Sequence, residues 1–343
     1  MDKESEVYQF PEMNLIAGSG AEKIIQKIYD SSLRAKLLLK NDKFLNREWY
    51  QEHLVNYLEF FVSEEGFAET AEELEGLFFI EGAEWEQEEP QNDMEPMEKE
   101  PQNDMEQTEQ GPQNASEQIE KEPQNAPQQE LQVVLYRKLS EKWQWGSKNP
   151  RIRLKILEWP FQIPFELELI PYAGTAVQIT EKTLEDSASQ EKIIYHMFSQ
   201  EEYLSRSFYK IVEELELITP MSWYKDGYDI LTTQMISGRK VSESFGQLFL
   251  ENAIPGLKER LEIVDSFQDY KYMEKRWENY MGRFWTKSLP LCDGDEIEPE
   301  SGEPNWQQVI QLFVRFFTPI FDVALKNELF IGDWMPQIGR YLD

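Results

Sequence analysis

Arg151-Ile152-Arg153-Leu154-Lys155-Ile156 decides the reading of the fold, because bases and branched apolar residues take strict turns along it. A period of two puts Ile152, Leu154 and Ile156 on one side of an extended chain and the three bases on the other, the pattern of a half-buried strand. Leu131–Tyr136 and Phe161–Ile170 are further strand candidates. From Ser199 onward the period becomes helical: Leu204, Phe208, Ile211 and Val212 share one face of Glu201–Glu214. Tyr228–Met235, Val241–Asn252, Asp269–Phe284 and Trp306–Asn327 continue that pattern, with Gly238 and Gly256 at helix ends.

Toward the N-terminus, Ile24, Ile25 and Ile28 give Ala21–Leu33 a helical spacing, and Lys36–Lys40 reads as a short buried strand. Leu54–Val62 and Leu77–Ile80 are further apolar stretches. Gly18-Ser19-Gly20 reads as a turn ahead of the first helix, where backbone N–H groups can cradle an anion. The fold class expected is therefore α+β: a mixed sheet with flanking helices, then a helical C-terminal bundle.

Pro-Gln-Asn recurs at Pro90, Pro101, Pro112 and Pro123, a period of eleven residues. The prolines and the near absence of apolar residues exclude a supercoiled helix. Between Glu84 and Glu130 stand 15 acids and 2 bases, a composition that cannot bury enough surface to offset its ordering entropy. Residues 85–130 are predicted to be a disordered, partly polyproline-II-like insertion, either a solvated spacer or a multivalent acidic tether. The expected organisation is 1–84, the insertion 85–130, further strands in 131–198, and a helical domain in 199–343.

The chain has 343 residues and a formal net charge of -31. Outside Glu84–Glu130, 50 acids still face 32 bases. Such a surface repels nucleic-acid phosphates and anionic membranes, and accommodates basic partners or metal ions more easily. Cys292 is the only cysteine, which excludes an internal disulfide and a cysteine zinc cluster, and its acidic surroundings argue against a reactive thiolate. His53 and His196 are the only histidines, too few for a His-rich metal site. Met1–Glu6 lacks the features of a signal peptide and no apolar run is long enough to span a bilayer, so a cytoplasmic location is expected.

Several segments, in order, resemble the AbiEii-type nucleotidyltransferases of toxin–antitoxin and abortive-infection systems. Lys225-Asp226-Gly227-Tyr228-Asp229 looks like that family's Lys/Arg-Asp-x-Tyr-Asp segment, and Phe198–Leu204 like its Tyr-Ser-Leu-Glu-Glu helix start. Lys275-Arg276-Trp277 is similar to its Lys-Arg-Trp helix, and Val309–Pro319 to its closing helix. Lys36–Asp42 stands where the family has Leu-Lys-Gly-Gly, and Tyr57–Phe61 where it has Asp-Leu-Asp-Phe. The resemblance implies a nucleotidyltransferase-like fold, a protein, nucleotide or RNA partner, and a role in phage defence or toxin–antitoxin regulation.

Nucleotidyl transfer places two or three carboxylates around Mg²⁺, two of them from alternate residues of one strand and another from a neighbouring strand. Measured against that requirement, the sequence departs from the family. Asn41-Asp42 replaces the glycine turn, Tyr57 and Glu59 replace the Asp-x-Asp pair, and Lys155 on 151–156 stands in the place expected for the third acid. A lysine ammonium has no lone pair for a metal. The expectation is a degenerate, inactive nucleotidyltransferase with no metal site and no cofactor. Lys40, Arg151, Arg153 and Lys155 are the candidate phosphate-binding bases. Asp226 and Asp229 also admit a structural reading as capping or pairing residues, and Lys275-Arg276-Trp277 as a packed Trp with solvated bases. Two alternatives remain open. An active transferase would use Glu59, Asp226 and Asp229, with Asp42, Mg²⁺ and a nucleoside triphosphate. An acidic decoy or adaptor would act through its repeats.

Overall fold

The computed structural model describes residues 10–45, 55–79, 131–137, 149–158, 161–176, 178–185, 192–252, 254–288, 304–324, 326, 328 and 330–342. The repeats, His53 and Cys292 lie outside them, so the readings of the insertion as disordered and of Cys292 as unreactive concern residues outside the described ones.

The first described half is a five-stranded sheet in the order β1-β2-β5-β4-β3, comprising β1 (Leu37–Leu39), β2 (Tyr57–Ser63), β3 (Gln132–Arg137), β4 (Arg151–Glu158) and β5 (Phe161–Tyr172). β2 and β5 run parallel and the other neighbours antiparallel, so the sheet is mixed. Alternation along each strand sorts side chains between two faces. Leu37, Leu39, Leu58, Phe60, Ile152, Leu154, Ile156, Phe165 and Leu167 are buried in one core, with helices α1 (Phe10–Tyr29) and α2 (Phe67–Phe78) packed over that face. Ile24, Ile25 and Ile28 supply the α1 stripe. A separate antiparallel pair, β6 (Ile179–Glu185) with β7 (Lys192–Phe198), packs beside β1.

Helices α3 (Gln200–Glu214), α4 (Ser222–Thr233), α5 (Gly238–Glu251), α6 (Leu257–Ser266), α7 (Lys271–Ser288) and α8 (Trp306–Ala324) follow, with a small sheet of β8 (Ile236–Ser237), β9 (Asp333–Met335) and β10 (Arg340–Leu342). Their aromatic core includes Phe208 stacked on Phe317 at 3.7 Å between ring centroids. Leu38, Phe61, Ile170 and Phe198 come from the strands and belong to this same core. The second face of the five-stranded sheet is thus apolar where helices cover it and polar where they do not.

One local expectation is corrected. Gly18-Ser19-Gly20 lies inside α1, and a Cβ at Gly20 would collide with Ile156 of β4, so this glycine serves close helix-to-sheet packing and offers no anion cradle. The apolar stretch at Leu77 and Phe78 closes α2. Among the described residues no helix is long and apolar enough to cross a membrane.

Candidate functional site

β1 and β2 pair with Leu39 opposite Phe60, and the backbone N–H of Lys40 then donates to the carbonyl of Glu59 at 2.9 Å. The parallel register sets Glu59 opposite Glu168, and the next antiparallel register sets Glu168 opposite Arg151. Lys40, Glu59, Glu168 and Arg151 therefore form one row across four strands. A second row holds Tyr57, Glu166 and Arg153. Except for Arg153, these rows floor a cleft of about 960 Å³ that is lined on the other side by Ser222 and Asp226 of α4 and by Arg276 and Tyr280 of α7.

This register corrects the expected site. The strand beside β2 is β5, not β4, so the position facing Glu59 is filled by Glu168 rather than by Lys155. The sequence reading passed over Glu166 and Glu168, whose alternation in Phe165-Glu166-Leu167-Glu168-Leu169 was the available signal. Lys155 lies opposite Pro164 and Val134, farther along β4, and is not among the cleft residues.

The carboxylates are already matched with internal cations. Lys40 Nζ is 2.8 Å from Glu59 Oε1 and 3.9 Å from Asp226 Oδ2, with Ser222 Oγ at 3.3 Å, and its side chain is only 3% exposed. Arg151 bridges Glu166 and Glu168 at 2.9 and 2.8 Å, and Arg153 reaches Glu166 at 3.2 Å. Tyr203 OH donates to Asp226 Oδ2 at 2.7 Å. Asp229 pairs with Lys225 one helical turn away at 2.7 Å and with Lys43 at 3.4 Å, a pairing role outside the residues that line the cleft. Asp42 accepts from Lys182 at 2.7 Å and from Tyr195 OH at 3.1 Å, which ties the turn after β1 to the β6–β7 pair. Arg276 donates to the carbonyls of Glu216, Ile218 and Thr219, while Trp277 is buried and donates to Pro304 O at 3.0 Å.

Burial works against the charge on Lys40, but the carboxylates of Glu59 and then Asp226 outweigh it and hold its pKa above the usual lysine range. Burial pushes Glu59 above its ordinary value. Lys40 opposes that shift, and the negative charges of Asp226 and Glu168 add to it. Burial and the Glu59 charge push the Tyr57 phenol up to about 12, so it is neutral at physiological pH.

A divalent ion does not fit this donor set. Its position between Glu59 and Asp226 is held by an ammonium, and Arg151 neutralises the β5 acids. Among the described residues no three Asp, Glu, His or Cys side chains are grouped so as to hold a metal. In comparisons with known proteins, the chain matches no family model and no curated relative.

Proposed function

We propose that this chain is a degenerate nucleotidyltransferase, similar to AbiEii-type toxins, that works by binding a protein, nucleotide or RNA partner in phage defence or toxin–antitoxin regulation rather than by transferring nucleotides. The observation carrying this reading is the 2.8 Å contact of Lys40 with Glu59, which puts a tethered ammonium among the carboxylates where the transfer reaction needs Mg²⁺. A triphosphate entering the cleft would meet cations, Lys40 and Arg151, that are already committed to Glu59, Asp226, Glu166 and Glu168.

The test is incubation of the purified chain with labelled nucleoside triphosphates, Mg²⁺ or Mn²⁺, and total RNA. No transfer of label is expected under any of these conditions.

One observation favours a second reading, an active transferase with a rearranged metal site. Glu59 and Glu168 stand level on adjacent parallel strands, an arrangement in which two strands do contribute carboxylates. Transfer of label that disappears in Glu59→Ala would establish that reading and overturn the first.

A further inference from the structure

We propose that the groove between α6 and α8 docks a basic, amphipathic helical segment of a partner protein, with one apolar side chain of that segment as its anchor. The groove holds about 230 Å³. That is below the roughly 300–1,000 Å³ of ordinary small-molecule sites and suits one inserted side chain. Leu261 of α6 and Val314 and Phe321 of α8 form the apolar floor. Both lips are acidic: Glu262 and Asp265 on α6, Asp322 on α8, against the single ammonium of Lys258. All four of these charged residues are exposed. Glu262 and Asp322 form no ion pair among the described residues, whereas the cleft carboxylates Glu59, Glu166, Glu168 and Asp226 are all matched internally. Charges left for solvent on either side of an apolar slot complement a helix whose apolar stripe is flanked by Lys or Arg. The chain's net charge of -31 adds long-range attraction for the same class of partner.

The probe is a fluorescein-labelled amphipathic peptide of leucine and lysine, about 18 residues long, an ordinary helix length. Its binding to the full chain is followed by fluorescence anisotropy. Two further peptides carry glutamate for every lysine, or serine for every leucine. The lysine–leucine peptide alone should bind. The Glu262→Lys/Asp322→Lys pair should weaken it at least about tenfold. The Glu65→Lys/Glu72→Lys pair makes the same change in net charge on exposed positions elsewhere and should leave binding within about twofold after correction for the reduced long-range attraction. Thermal melts of both variants confirm the fold. Equal weakening by the two pairs, or retained binding of the serine peptide, reduces the effect to general acidity and overturns the proposal. Absence of binding by the lysine–leucine peptide overturns it too.

Discussion

Replacing Lys40 by methionine tests the electrostatics of the cleft. The stem stays and the charge goes, which strands Glu59 and Asp226 beside each other. Removing one partner of a buried pair typically costs about 3–5 kcal/mol. Glu59 keeps 18% exposure and Asp226 24%, so water screens part of the remaining repulsion. The lower end, about 3 kcal/mol, is the expectation, or roughly 6–12 °C in Tm for a folded unit of this size. The loss carries a pH signature. In the intact protein Lys40 opposes the upward shift of Glu59; without it, burial and the charges of Asp226 and Glu168 raise that pKa further. A carboxyl whose folded pKa exceeds its unfolded value gives up stability as pH rises through the interval between them. Lys40's own contribution is fully present throughout this range, because its raised pKa lies far above it. Urea unfolding should therefore show a smaller loss at about pH 4.5 than at about pH 7.5, and adding Glu59→Gln should recover at least about 1 kcal/mol at the higher pH. A loss below about 1 kcal/mol, or one independent of pH, would refute the account of Lys40 as the counter-ion of a buried acidic cluster.

Arg206 pairs with the fully buried Glu202, donates to the carbonyls of Ala173 and Thr175, and lies over the rings of Tyr172 and Phe198. Lysine cannot reproduce that planar fork, so Arg206→Lys should cost about 2–4 kcal/mol in chemical denaturation, and a nearly neutral result would show that the fork is dispensable. A Cβ at Gly227 of α4 would run into the ring of Phe313 on α8, so Gly227→Ala should lower stability by about 1–3 kcal/mol despite alanine's better helix propensity, again read by denaturant midpoint. Burial and then the Asp42 carboxylate raise the Tyr195 phenol pKa, so Asp42→Asn should bring it down in an ultraviolet titration referenced to Tyr195→Phe; an unchanged curve would remove Asp42 from that contact's electrostatics.

Periodicity carried most of what could be read locally. The alternation in 151–156 marked β4, and the stripe Leu204, Phe208, Ile211, Val212 marked α3 within a residue or two of its ends. Signals weakened where burial does not alternate. β6 is a largely exposed strand whose charges fall on both sides, and α6 buries only Leu257 and Val264, so neither shows a clear period. Lys40, Glu59, Arg151 and Asp226 were identifiable as chemistry-bearing residues, but their relation was not. It depends on β2 lying beside β5 across more than a hundred positions of chain, a pairing that local pattern does not encode. A shift of that register by one residue would have turned Glu168 into the opposite core and brought Leu169 level with Glu59. The error of placing Lys155 there was an error of strand order, since its own strand was read correctly.

The shared aromatic packing of Phe61 with Phe198, Tyr203 and Trp223 has a practical consequence for anyone cutting the chain. A fragment ending at residue 198 would present Leu38, Phe61 and Ile170 to water, and a fragment beginning at 199 would lose the surface that seats Trp223. Each would be sticky in isolation. Separate expression of either portion is therefore expected to favour aggregation.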